Sequence, residues 1–240
     1  MGACCRVHDP RVGARHRDHT AGRGYPTPAG GTGLGGASVT RPARRARPSA
    51  EEITADVLDI TAGLIARRGV KDTAVQAVAD QAGYSKAGIL ARFTSKEQLV
   101  EAALAQCTAQ TETVREAVRQ MPLGPDRDAA ALAGITDLAL ARPGWAELAL
   151  AAFTLRRGDD VGERLVPVAA ILLELFGLDL GDRAAASLDR RARVSGAFGA
   201  IMMLALTYED DASATEARPY VLRVAWDALG YGGDVPGMVG

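Results

Sequence analysis

Arg67, Arg68, Lys71, Lys86, Arg92 and Lys96 crowd six cations into positions 67–96 of a 240-residue chain. Cationic side chains on short helices hold phosphate oxygens, and an arginine can also read guanine O6 and N7. Thr73, Gln76, Tyr84 and Ser85 interleave hydroxyl and amide groups that suit the same polyanionic backbone. Catalytic chemistry has far less to work with. His8, His16 and His19 are all the histidines, so nothing after position 19 offers an imidazole for a general base, a triad or a metal site. Cys107 stands alone on an apolar stripe and reads as a small core residue rather than a nucleophile. No catalytic group, cofactor or metal is expected.

The stretch that must position the cations runs from Thr73 to Phe93. Val75, Val78, Ala79 and Ala82 fall at helical spacing and give one small apolar face, with Gln76, Asp80 and Gln81 turned elsewhere. Thr73 stands where an N-cap belongs, with Gln76 three residues on in the capping-box register. Gly83 can close that helix in the left-handed conformation, and Ser85 supplies a new N-cap two residues later. Ile89 and Phe93 share one face of the second helix and can pin it to the first. Lys86, Ala87, Leu90, Ala91 and Arg92 are then left towards the outside, which is the geometry of a helix-turn-helix whose second helix fits a major groove.

Ala79 to Phe93, followed by Thr94-Ser95-Lys96-Glu97, resembles the DNA-binding segment of the tetracycline-repressor (TetR) family. The likeness continues upstream through Val57 to Val75 and keeps register to about Val100. It departs at Ala91 and Arg92, where many members carry an aromatic residue or His. The resemblance implies a three-helix head that contacts a palindromic operator in double-stranded DNA through Thr73, Gln76, Tyr84, Ser85, Lys86, Ala87, Leu90, Arg92 and Lys96. It also implies a helical body that dimerises and binds a small molecule, with a long helix after the head carrying the movement between them.

Composition agrees with an all-α chain: 48% of residues are hydrophobic but only 5% aromatic. The longest apolar run, Val166 to Leu173, falls well short of the ~20 residues of a membrane helix. No membrane span is expected, and no apolar segment resembling an export signal opens the chain, so a cytoplasmic protein is expected. Cys4, Cys5 and Cys107 do not make a disulfide framework. The net charge of −1 conceals an uneven distribution, since residues 1–48 hold nine Arg against Asp9 and Asp18 while the remainder holds 19 basic against 27 acidic residues. A net acidic body can bind DNA only where its contacting face is locally basic, as it is around the helix-turn-helix.

Residues 1–47 are rich in Gly, Pro and Arg without apolar period and read as a disordered arm. Its end, Arg41 to Pro48, can hold phosphates by charge. A solvated tail and a true start near Val39 are the other readings. Ser49 and Glu52 make a capping box that opens a helix with Ile53, Val57, Thr61 and Leu64 inward. Gly63 within it means either close packing or a weaker helix. The DNA-binding domain is expected over 48–94 and the body over 95–230, with a loose end at 231–240. From a third capping box at Ser95 and Gln98, a long helix runs to the Met121–Pro125 break. Helices follow near 126–141, 143–157, 160–176, 182–209 and 213–229.

Within the body, Trp145, Phe153, Phe176 and Met202 are bulky side chains that pack a core or wall a ligand cavity. Gln110, Val114 and Arg156 complete the expected lining for an apolar or amphipathic small molecule. A homodimer is expected through the last two helices. Val194, Ala197, Ile201 and Leu204 on one, and Val221, Val224, Ala225 and Ala228 on the other, offer small and branched faces for close contact.

Overall fold

The computed structural model describes residues 49–154, 160–182, 185–208 and 211–237, with the side chains at 160, 211 and 212 excepted. The expected arm at 1–47 and Arg156 lie outside the described residues. Among those described there are ten helices and no strand.

Helix α1 (Ala50–Asp72) opens on the capping box: Ser49 Oγ accepts from the Glu52 amide at 3.1 Å, and Glu52 Oε2 accepts from the Ser49 amide at 2.6 Å. Two amides that would otherwise be orphaned are satisfied at once. Regular helix ends at Gly69, whose φ of +79° suits glycine alone without strain. Helix α2 (Val75–Ala82) closes on Gly83 at φ +71°, and Ser85 caps α3 (Lys86–Arg92) by accepting from the Gly88 amide at 3.0 Å. Val57, Val78, Ala79, Ile89 and Phe93 are all buried, so α1 and α2 hold α3 from behind as the spacing predicted.

Thr73 departs from expectation. The residue before α2 is Ala74, which makes no side-chain cap, and Thr73 is buried with its hydroxyl donating back to the Gly69 carbonyl at 2.7 Å. Gln76 likewise donates to Asp80 Oδ1 at 2.7 Å rather than completing a box. The break at Gly69 frees a carbonyl four residues upstream of Thr73, and the hydroxyl satisfies that acceptor instead.

Helix α4 (Lys96–Val118) begins at Ser95, which accepts from the Gln98 amide at 3.1 Å. Gln98 turns to the Thr94 amide, so the expected box is half formed. The body follows as α5 (Pro125–Ala141), α6 (Pro143–Thr154), α7 (Asp160–Arg164), α8 (Val166–Glu174), α9 (Leu188–Thr207) and α10 (Asp211–Ala228). The segment expected as one helix at 160–176 is two, divided at Leu165 ahead of Pro167, whose missing N–H and fixed φ suit a first turn. The next helix starts at Leu188, six residues later than expected, because Ser187 provides the cap by accepting from the Arg190 amide at 3.1 Å. The last begins at Asp211, ahead of the expected cap at Ser213.

Helix α1 packs most extensively against α6, and their crossing answers the question posed by Gly63. A Cβ on Gly63 would come within 3.3 Å of the Gly144 Cα, and one on Gly144 would overlap the Asp59 carbonyl. Gly63 is there for packing: two glycines let the helix backbones approach. In the body, Asp128 is fully buried at the start of α5. It accepts from Arg190 Nη2 at 2.7 and 2.9 Å and from the Tyr231 hydroxyl at 2.8 Å. Tyr231 also stacks on Trp226 with ring centroids 4.2 Å apart, and Val235 is buried. The end expected to be loose is tied down over these residues.

Candidate nucleic-acid interface and ligand cavity

The outer surface of α3 is short and of low relief. Ser85, Lys86, Ala87, Gly88 and Ala91 are exposed, Leu90 is half-buried, and Tyr84 beside them is 44% exposed. Lys86 has no ion-pair partner among the described residues, so its charge is available to an external anion. Gln76 is exposed on α2, while Thr73 is inside and cannot reach a duplex without unfolding its own turn.

Two of the expected contact cations are also fasteners within the head. Arg92 Nη1 donates to the Ala50 carbonyl at 2.9 Å and to the Thr54 hydroxyl, tying the end of α3 to the start of α1. Lys96 Nζ donates to the Lys71 carbonyl at 2.7 Å, tying the start of α4 to the last turn of α1. Both remain at the surface, and both fix the angle at which α3 is presented.

The head is joined to the body by a contact that sequence reading missed. Asp59, on the buried side of α1, accepts from the Gly144 amide at 3.0 Å and the Trp145 amide at 2.9 Å. A carboxylate there meets the positive end of the α6 dipole as well as two orphan donors. Burial pushes the Asp59 carboxyl above its ordinary value, while the two amides and nearby Arg142 oppose that shift. Arg142 pairs with Asp56 at 2.6 Å and Arg67 pairs with Glu147, flanking the junction on either side. The only local sign in the sequence was an acid placed among apolar residues of α1, opposite nothing that could be seen nearby in the chain.

Of the described side chains expected to line a ligand site, Phe153 alone does so. A cavity of about 690 Å³ opens between the end of α6, α7, α8 and the start of α9, with Phe153, Val166, Ala169, Leu173 and Leu178 as its apolar wall. Arg191, Ser195, Asp179 and Glu163 supply its polar groups. Trp145, Phe176 and Met202 are instead packed in the core. Trp145 Nε1 donates to the Thr111 hydroxyl at 3.0 Å, and Phe176 meets the Phe198 ring edge-on at 5.3 Å. Val114 is buried against Gly134 of α5, and Gln110 is half-buried on α4 away from the cavity. Bulky residues on inner helix faces pack one another, and the cavity forms where two short helices fail to fill the layer. Burial pushes the Cys107 thiol up to about 12, so it stays protonated and inert at neutral pH.

The dimer face also needs correction. Ala197, Ile201, Val194, Val221 and Ala225 lie in the protomer's own core, where a second chain cannot touch them. Leu204 and Ala228 are half-buried and Val224 is exposed. Apart from Leu188 at the cavity, the exposed large apolar residues described on α9 and α10 are Met203, Tyr220 and Val224, at 61%, 73% and 46% exposure. Open space surrounds Gly196 and Gly199 beside them.

Among the described residues no helix is long and apolar enough to cross a membrane, and no cluster of His, Cys, Asp and Glu could hold a metal ion. No curated protein matches the chain. Solved structures similar to it include a TetR-like transcriptional regulator from a Rhodococcus species, at 17% identity and TM-score 0.48, covering 78% of this chain and 100% of that one. AmtR of Mycobacterium smegmatis is 20% identical at TM-score 0.47, covering 81% and 92%. The fatty acid degradation regulator FadR of Bacillus halodurans is 16% identical at TM-score 0.43, covering 74% and 98%. Residues 57–103 match the sequence model described as bacterial regulatory proteins, tetR family. That span takes in most of α1, all of α2 and α3 and the first turns of α4, which is the head built above. The head of this chain is therefore similar to the DNA-binding segment of the tetR family of bacterial regulatory proteins.

Proposed function

We propose that the protein is a homodimeric repressor that holds a palindromic operator and releases it when a small apolar or amphipathic molecule enters the body. The observation that carries the DNA-contact assignment is the exposed start of α3 with its unpaired Lys86, braced from behind by Ile89 and Phe93. Tyr84, Ser85, Lys86 and Ala87 are the groove residues, with Gln76, Leu90, Arg92 and Lys96 around them. Two such helices about one turn of B-DNA apart, roughly 34–36 Å, read two half-sites. Lys86→Ala is expected to weaken binding to every sequence alike and to lower the salt slope by about one, measured by fluorescence anisotropy on a selected palindrome. Unchanged affinity and slope would remove α3 from the interface.

The route from ligand to DNA runs along α6. Ala152 and Phe153 at its far end line the cavity, whereas Gly144 and Trp145 at its near end hold Asp59 of the head. No residue of α4 lines the cavity, so α4 receives movement through α8, and α6 carries it directly. A ligand that prefers the cavity with α6 displaced shifts the head spacing, and a coupling of about 1–3 kcal/mol gives roughly 5- to 150-fold release. Ligands found by thermal shift are expected to lower operator affinity in the wild type. In Asp59→Ala, which cuts the tie while leaving the cavity intact, the same ligands bind but release DNA far less. Equal release in the two proteins would overturn the α6 route, and hits that never alter operator affinity would overturn ligand control.

A further inference from the structure

We propose that the cavity takes an amphipathic monoanion, a carboxylate carried on an aliphatic or aryl body, with Arg191 as its anchor. This rests on the reading that the body holds a ligand, and goes beyond it by fixing the ligand's charge. Arg191 lines the cavity, and its Nε is shut off from solvent with no hydrogen-bond partner. A buried guanidinium donor left unmade costs about 1–3 kcal/mol or more, and in a native protein such a group marks a missing acceptor. Ser195 follows one helical turn later on α9 and lines the same cavity, adding a hydroxyl donor within reach of the same head group.

The two carboxylates at the cavity do not discharge Arg191. Asp179 Oδ1 accepts from the Gly181 amide at 2.6 Å, and neither Asp179 nor Glu163 forms an ion pair with the guanidinium. Both acids are exposed and hydrated, so neither needs a partner, whereas the Arg191 donor does. A cationic ligand would satisfy groups that water already satisfies and would leave the buried donor unmade. The remaining wall, Phe153, Ala169, Leu173 and Leu178, rewards an apolar body of moderate size. A carboxylate accepts from a planar guanidinium in charge-assisted hydrogen bonds, about twice as strong as neutral ones, which selects the head group over an alcohol.

The test is calorimetric titration of the full chain, without DNA, using decanoate and 1-naphthaleneacetate against decanol and decyltrimethylammonium. Both carboxylates are expected to bind at one site per chain, at least about 10-fold tighter than decanol, with the cation weakest. Arg191→Gln is expected to lower carboxylate affinity about 10- to 100-fold while leaving decanol affinity unchanged. Arg191→Lys, which keeps the charge but not the planar fork, falls between the two. Ala192→Trp, at an exposed lining position, obstructs the cavity and abolishes binding of all probes while circular dichroism stays native. Decanol or the cation binding as tightly as the carboxylates, or Arg191→Gln leaving carboxylate affinity intact, overturns the charge assignment and spares the cavity as a ligand site. Carboxylate binding that survives Ala192→Trp, or failure of every probe to bind, overturns the cavity reading together with the anion.

Discussion

Asp128→Ala is expected to lower the unfolding free energy by about 3–5 kcal/mol, the cost of breaking a buried charge pair from one side. The Asp128 side chain has no solvent exposure, while that of Arg190 retains 28%. Three hydrogen bonds converge on the carboxylate from two elements distant in sequence, α9 and the segment after α10. Without it, Arg190 Nη2 keeps only the Phe176 carbonyl at 3.3 Å, and the Tyr231 hydroxyl is left without an acceptor. The Tyr231 phenol is already pushed above its usual value by burial first and by Asp128 second, so it stays a donor throughout the neutral range. Tyr231→Phe removes one neutral donor and leaves the ion pair, and should cost only about 0.5–1.5 kcal/mol. Guanidinium unfolding at one protein concentration measures both. Equal losses in the two variants would mean that stacking on Trp226, and not the carboxylate, holds the C-terminal segment.

How far the sequence could be read depended on whether the deciding partner was local. Gly83 and Ser85 were legible because each acts on a backbone group within four residues: a left-handed closure and an amide three positions on. Thr73 carried the same residue-type signal and went elsewhere, since the break at Gly69 offered its hydroxyl an acceptor behind it. Asp59 could not be read at all, because its partners are 85 and 86 residues away and belong to a helix whose entry is set by Pro143 and Gly144. The ligand site failed for a related reason. Large side chains at helical spacing identify an interior, but whether that interior is filled depends on how well neighbouring helices close. Here Trp145, Phe176 and Met202 are closed on, and the gap falls beside the short α7 and α8. Fold class survived these errors because the periodicity that sets it is carried by every helix independently.

Replacing both Met203 and Val224 by Asp is expected to give a folded monomer that loses about 10²- to 10⁴-fold in affinity for a palindromic operator. In an Ala-rich helix the inward and outward stripes are both apolar, so spacing alone assigned the face to Ala197, Ile201 and Val221, which the protomer core consumes. What remains outside is a surface of Met203, Tyr220 and Val224 beside open glycines at 196 and 199, on adjacent packed helices. Two-fold pairing of α9 and α10 would cover these groups and allow backbones to approach at the glycines. Two aspartates at the centre of that contact are opposed by their own copies, whereas in the protomer they point to water and leave the core intact. The affinity change follows from losing the second half-site: binding of the second head within a dimer is intramolecular, and a monomer must engage each half-site independently. Sedimentation at micromolar concentration, circular dichroism and anisotropy on full and half operators separate the outcomes. A double variant that remains dimeric would put the interface elsewhere, and a monomer that keeps full operator affinity would sink two-fold recognition, while unchanged half-site affinity in the monomer is the result that the proposed arrangement requires.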